Sequence, residues 1–141
     1  MIQRIQTIWL LVASALGFTS LQTSFYSGHR VNDAIPKPVV FLTASYNPLL
    51  IVSTVTAAVI ALITIFLFKD RKLQMKLTIA ALVLSIITLG LYYWQMQSFV
   101  PAESSITLTA VVPVAIPVLL ILAFRGIWKD EKLVKSVDRL R

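Results

Sequence analysis

The sequence predicts an all-α integral membrane protein with four transmembrane helices in an antiparallel up-down-up-down bundle, followed by a C-terminal amphipathic surface helix. The first observation is composition: 57% of the 141 residues are hydrophobic and 13% are charged, whereas soluble domains average about 25% charged residues. The second is four apolar runs, each long enough to cross a hydrocarbon core about 30 Å thick. The third is that the charges lie in short segments between these runs. We expect one domain over residues 1–141.

The first apolar run, residues 5–24, is predicted to be a transmembrane helix. Gln6 lies near its start, where we expect water or lipid headgroups to satisfy the side-chain amide. Ala13 and Gly17 are small and four residues apart, which favours close approach of another helix. A small-x-small sequence inside the run resembles a signal-peptide cleavage site. The apolar stretch before it is short, so an uncleaved span is the preferred interpretation.

Residues 26–47 are predicted to connect the first and second spans. Residues 39–43 are apolar and β-branched but too few to span as a helix, so they form either a small strand or a segment lying on the bundle or the interface. His29 and Asp33 are spaced as an acid–imidazole pair. We expect a solvated loop histidine, with metal binding shared with a partner, or pH sensing, as the alternatives.

Residues 48–68 and 77–97 are predicted to be the second and third spans. Pro48 suits the first turn of a helix, because its missing N–H costs nothing there. Gly90 predicts either close packing or a flexible point in the third span. A basic turn, residues 69–76, separates the two spans. Small residues spaced by four predict helix contact lines: Ser53, Ala57 and Ala61 on the second span, and Ala81 and Ser85 on the third.

Residues 106–128 are predicted to be the fourth span, and residues 129–141 the amphipathic surface helix. Pro113 and Pro117 lie on one face, and each removes a backbone donor and crowds the preceding turn. We therefore expect this helix to be kinked or locally unwound. Such a kink is either a static feature of shape or, as in some transporters, a moving part. In the tail, Glu131 and Lys135 have the spacing of an i,i+4 ion pair.

Aromatic residues near the ends of the runs predict where the membrane surface lies, because amphipathic rings collect at the level of the lipid headgroups. The cluster at residues 92–94 also admits a ligand-stacking site as an alternative. The predicted interface anchors are Trp9, Tyr92, Tyr93, Trp94 and Trp128.

The basic residues are distributed unevenly between the two sides of four alternating spans. All but two of the 13 lysines and arginines fall on one side, the exceptions being Arg30 and Lys37. Because cytoplasmic loops carry the positive excess, we predict a multi-pass protein of the bacterial inner membrane with both termini in the cytoplasm. The predicted docking face for a partner or anionic lipid consists of Arg4, Lys69, Arg71, Lys72, Lys76, Lys129, Lys132, Lys135, Arg139 and Arg141.

Three stretches, MIQRIQTIWLL at the start, FKDRKLQMKL around the basic turn and RGIWKDEKLVKSVDRLR at the end, carry a family resemblance. Together they resemble a family of small four-helix membrane proteins widespread in Bacteroidota, the domain-of-unknown-function family four-two-nine-three. The resemblance covers essentially the whole chain and implies an inner-membrane protein with four spans. It implies no reaction, so no functional residue is carried over from it.

Several classes of chemistry are disfavoured by the residues themselves. There is no cysteine and only one histidine, which excludes thiol chemistry and a multi-histidine metal site within one chain. The centres of the apolar runs carry no ionisable residue, whereas proton-coupled transporters use such groups at mid-membrane depth. The net charge of +7 lies between apolar runs rather than on a soluble face, which disfavours nucleic acid as a partner. We predict no catalytic residue, no metal and no cofactor.

The functional prediction is a non-enzymatic accessory or scaffold subunit of a larger inner-membrane complex. Its partners are predicted to be membrane lipids and other membrane protein subunits, bound through the basic cytoplasmic face. The alternative is a small transporter or channel for an apolar or lipid-like solute that uses the proline-kinked fourth helix. A third hypothesis is a homo-oligomer with no fixed partner.

Overall fold

The computed structural model describes residues 3–30 and 38–138, most of which lie in four α-helices. The helices are α1 (Gln3–Thr19), α2 (Pro48–Phe66), α3 (Arg71–Met96) and α4 (Val111–Asp138). The strands β1 (Ser24–Gly28) and β2 (Val40–Thr43) lie between α1 and α2, and the short strand β3 (Ser105–Ile106) lies between α3 and α4. The chain is therefore mostly helical, with a small sheet that the all-α prediction did not include.

The helices form a ring in which each packs against the next along the chain and α4 packs against α1. The three strands pair in the order β2-β1-β3, so the α1–α2 and α3–α4 connections meet at one end of the ring. We call this the sheet end. The short α2–α3 connection lies at the opposite end, together with the start of α1 and the C-terminal half of α4. This arrangement is the predicted antiparallel up-down order of helices.

Small residues allow the helices to approach closely. A Cβ atom added at Gly17 would lie 2.8 Å from the Cβ of Ala58 on α2, and Ser14 Oγ donates to the carbonyl of Ala58 at 3.0 Å. The predicted contact lines on α2 and α3 are buried, as is Ala13. Of the two alternatives for Gly90, close packing is wrong, because a Cβ there would meet nothing within 4 Å.

Three helical stretches are long and apolar enough to cross a membrane, namely Pro48–Phe66, Arg71–Met96 and Leu108–Ser136. Their outward faces carry many exposed Ile, Leu, Val and Phe side chains. In water such a surface would aggregate, so lipid is the solvent that suits it. These are the properties of a membrane protein. The apolar part of α1, Ile5–Thr19, is shorter than the predicted span 5–24, because the chain turns after Thr19 and enters β1 at Ser24.

The small sheet confirms the strand alternative for residues 39–43. β1 pairs antiparallel with both neighbours, and Tyr26 lies opposite Leu42 on β2 and Ile106 on β3. Gly28 is required by close approach of the α3–α4 connection, since an added Cβ would overlap the Ser104 side chain. The sheet thus joins the two long connections into one cap over the helix ends.

The basic turn is shorter than predicted. α3 begins at Arg71, so Arg71, Lys72 and Lys76 are helical rather than part of a turn. The Asp70 side chain accepts a hydrogen bond from the Leu73 N–H at 3.2 Å and caps the helix. An acceptor at this position satisfies one of the amides that the first turn leaves without a partner.

The last helix also differs from its prediction. α4 is continuous from Val111 to Asp138, so residues 129–138 extend the fourth helix and do not form a separate surface helix. Pro113 lies in the first turn, where a missing N–H has no partner to lose. Pro117 lies inside the helix without interrupting it, so the predicted local unwinding is absent from α4. Both prolines are buried, so they lie on one face of α4, as their spacing predicted, and that face is turned to the interior.

Candidate functional site

The end of the ring opposite the sheet brings together the segments richest in Lys and Arg. We define this basic end as the first turns of α1, residues 67–76, and α4 from Arg125 onward. The predicted basic turn, residues 69–76, contacts the C-terminal part of α4, because Arg71 Nη1 donates to the Asp130 carbonyl at 3.2 Å. The outermost predicted cations, Arg139 and Arg141, lie outside the described residues.

A buried carboxylate lies at the centre of this end. Asp130 is 8% exposed, and its Oδ2 accepts a hydrogen bond from Gln6 Nε2 at 2.5 Å. Gln6 is itself 5% exposed, so its amide is satisfied by α4 and not by water or headgroups as predicted. Gly126 makes this contact possible, since a Cβ there would lie 2.7 Å from Gln6 Cγ. A buried charge is stable only with such partners.

A second hydrogen bond ties α2 to α3 at the same end. Gln74 is buried, and its Nε2 donates to the Thr64 carbonyl at 3.3 Å. Thr64 lies in the last turn of α2, and its carbonyl also accepts the Leu67 N–H at 3.3 Å. A cavity of about 20 Å³, roughly the space of one water molecule, lies between Gln6, Arg71 and Asp130. All four helices are therefore joined by polar contacts at the basic end.

The Asp and Glu side chains described at this end each bind another group of the protein. Asp70 caps α3, Asp130 accepts from Gln6, and Glu131 Oε1 lies 2.8 Å from Lys135 Nζ in the predicted i,i+4 pair. The cations that surround them are exposed, namely Lys69, Lys72, Lys76, Arg125, Lys129 and Lys132. The surface offered to a partner is therefore strongly positive.

Two cations of the predicted docking face, Arg71 and Arg4, lie in the first turns of α3 and α1. Arg71 is half-buried and turned toward α4, so it joins helices and is not a freely exposed docking cation. The sequence did not predict that Gln6, Gln74 and Asp130 are buried and hydrogen-bonded between helices. The signal for the two glutamines is a polar residue close to an otherwise apolar run, which at a buried position requires a hydrogen-bond partner.

The predicted interface anchors divide into exposed and buried groups. Tyr93 is 68% exposed, and Trp94 and Trp128 are also exposed, so their positions suit an interface. Trp9 is half-buried and packs against the core. Tyr92 is fully buried and stacks on Phe25, with ring centroids 4.6 Å apart. The anchor prediction for Tyr92 is therefore wrong, because this residue continues the inward face of α3.

The sheet end is closed by aromatic packing. Tyr26 and Phe99 meet edge to face with centroids 5.4 Å apart, and the Arg30 guanidinium lies 5.6 Å from the centroid of Tyr46. His29 Nδ1 lies 3.1 Å from the Pro38 carbonyl oxygen. Asp33, its predicted partner, lies outside the described residues. Within residues 3–30 and 38–138, no group of three or more His, Cys, Asp or Glu side chains is arranged to hold a metal ion.

A cavity lies inside the ring, between the basic end and the sheet. It has a volume of about 20 Å³, roughly one water molecule, and Pro113, Ser85 and Thr54 contribute to its wall. Thr54 is 3% exposed, and its hydroxyl has no protein hydrogen-bond partner. This space is far smaller than the roughly 300–1,000 Å³ of ordinary small-molecule pockets.

Comparison with known proteins identifies a family whose function is unknown. A family model described as Domain of unknown function (DUF4293) matches residues 2–140. No curated protein and no solved structure matches the chain. The matched range takes in all four helices, the sheet and the whole described part of the basic end. On this match, which agrees with the resemblance seen in the sequence, the chain belongs to the DUF4293 family.

Proposed function

We propose that this protein is a non-enzymatic accessory or scaffold subunit of a larger bacterial inner-membrane complex. In this proposal all four helices span the membrane, both termini are cytoplasmic, and the basic end faces the cytoplasm. The basic end docks an acidic partner surface or anionic lipid headgroups. Other membrane protein subunits and membrane lipids are the proposed partners.

The observation that carries the proposal is the separation of charges at the basic end. The Asp130 carboxylate is buried against Gln6, so it is not presented on the outward face, where exposed Lys and Arg side chains outnumber the exposed Asp70. Lys72, Lys129 and Lys132 are exposed on that face. Complementary charge at such a surface guides association and fixes orientation more than it adds affinity. A rigid helical base with a free positive surface suits docking.

A transporter or channel for an apolar solute has less support. The interior cavity beside Pro113 has room for about one water molecule. α4 continues through Pro117 without a break, whereas transporters of this kind use discontinuous helices to build a substrate site. Interhelical hydrogen bonds close the basic end and aromatic packing closes the sheet end, so the described part of the ring offers a solute no open path.

Copurification tests the proposal. The full-length protein is isolated from its native membrane in a gentle detergent, and its partners are identified and quantified. We expect a stoichiometric membrane-protein partner that is lost when Lys129→Gln and Lys132→Gln are combined. Point substitutions are preferable to truncation at residue 129, because truncation would also remove the buried Asp130.

A control variant removes one cation from the sheet end, by Arg30→Gln, and should leave the partner bound. A monodisperse homo-oligomer without another subunit would contradict the proposal. Partner loss that is equal in the control and in the Lys129 and Lys132 variant would contradict the assignment of docking to the basic end.

A further inference from the structure

An open groove of about 590 Å³ runs along α4 where its apolar part gives way to its charged part. Its cationic wall consists of Arg125, Lys129 and Lys132. These positions have i, i+4 and i+7 spacing, which places them on one face of the helix. Trp128 and Leu133 supply apolar surface to the same groove. The combination of a cationic row and an apolar wall matches an amphipathic anion.

We propose that this groove binds the headgroup of one anionic phospholipid, with the phosphodiester held by Arg125 and Lys129. A guanidinium presents two parallel N–H donors to phosphate oxygens, and an ammonium adds a point charge. Arg125 is the first charged residue after the apolar stretch of α4. It therefore lies at the depth where headgroup phosphates occur, and the adjacent Trp128 indole suits the same depth.

The charge pattern favours a negatively charged headgroup over a zwitterionic one. Among the described residues that line the groove, none is acidic. Asp130 lies on another side of α4, against Gln6, and Glu131 is paired with Lys135. A bound anion therefore meets three cations without a competing carboxylate. This inference rests on the proposed orientation, in which the basic end faces the anionic inner leaflet.

Fluorescence quenching gives a local readout, because Trp128 lies in the groove wall. The full-length protein with Trp9→Phe and Trp94→Phe retains a single tryptophan. It is reconstituted into phosphatidylcholine vesicles containing a minor fraction of either brominated phosphatidylglycerol or brominated phosphatidylcholine. We expect brominated phosphatidylglycerol to quench Trp128 several-fold more strongly at equal mole fraction.

Arg125→Gln with Lys129→Gln should abolish this several-fold preference, because one charge at a membrane surface accounts for about a fivefold factor. Arg125→Lys with Lys129→Arg is the matched control, since it keeps one guanidinium and one ammonium in the groove. The control should keep the preference. Equal quenching by the two lipids, or equal loss in both variants, would overturn the proposal.

The copurification experiment separates this inference from the proposed function. If the partner is retained while the lipid preference is absent, only the groove assignment fails. If the lipid preference is present and depends on Arg125 and Lys129 while no subunit copurifies, the accessory-subunit proposal fails and the lipid site stands.

Discussion

Gln6 and Asp130 are 124 positions apart in the sequence and are joined by a buried hydrogen bond of 2.5 Å between Gln6 Nε2 and Asp130 Oδ2. The bond connects the first helix to the last at the basic end. The cations around it point outward, while this one carboxylate points inward. The contact therefore contributes both to the packing of α1 on α4 and to the positive sign of the exposed surface.

Replacing Gln6 by leucine tests this contact. Gln6→Leu leaves the Asp130 carboxylate buried without its donor, and we expect the free energy of unfolding to fall by about 1.5–3 kcal/mol. Gln22→Leu is the control, because Gln22 is exposed. Unfolding in mixed micelles, followed by circular dichroism, measures both. Equal stability of the two variants would show that the Gln6 contact contributes nothing.

Two glycines of the helices are expected to respond oppositely to alanine. Gly17→Ala places a Cβ 2.8 Å from the Cβ of Ala58, and overpacking of this kind destabilises by about 1–3 kcal/mol. Gly90→Ala meets nothing within 4 Å, so it should stabilise α3 by about 0.5–1 kcal/mol through backbone entropy. The same unfolding measurement compares them. A stabilised Gly17→Ala protein would refute close packing of α1 on α2.

Substitution of two neighbouring tyrosines on α3 by alanine is expected to change the free energy of unfolding by very different amounts. Tyr92 is fully buried against Phe25, so Tyr92→Ala should cost about 3–5 kcal/mol. Tyr93 is 68% exposed, and Tyr93→Ala should change stability by less than about 0.5 kcal/mol. Thermal unfolding in micelles distinguishes them. A similar cost at both positions would mean that α3 is rotated relative to the arrangement described.

The cap of α3 can be tested by two substitutions at one residue. Asp70→Ala removes the acceptor for the Leu73 N–H and should destabilise by about 1 kcal/mol. Asp70→Asn removes the charge and keeps an acceptor oxygen, so it should retain most of the stability. If the two variants were equally destabilised, the charge of Asp70 rather than its cap would be responsible.

The sequence predicted the features that depend on local period. The small residues Ala57 and Ala61 recur every four positions and so must share a face of α2, which is the face that is buried. The sheet could not be predicted from the sequence. Tyr26 pairs with Leu42 and with Ile106, and neither pairing follows from the local sequence pattern. Only the strand character of residues 39–43 was visible in advance.

The basic end was predicted only in part, because its internal contacts, like the strand pairings, join residues that are distant in the sequence. Charge counting grouped its segments correctly, but the inward direction of Asp130 depends on the rotation of α4 against α1, set by contact between Gly126 and Gln6. The prediction of a separate surface helix was wrong, because the segment after Trp128 contains no glycine or proline that would end α4. Hydrophobic pattern alone does not distinguish an extended helix from a second one.

The position of the basic end relative to the membrane is the central claim. The chain has no cysteine, so single cysteines can be introduced at Glu103, Lys69 and Ser136, which are all exposed. They are treated with a membrane-impermeant maleimide in spheroplasts, before and after permeabilisation. We predict that Glu103→Cys is labelled in intact spheroplasts, and that Lys69→Cys and Ser136→Cys are labelled only after permeabilisation. Labelling of Lys69→Cys or Ser136→Cys in intact spheroplasts, with Glu103→Cys protected, would contradict the account.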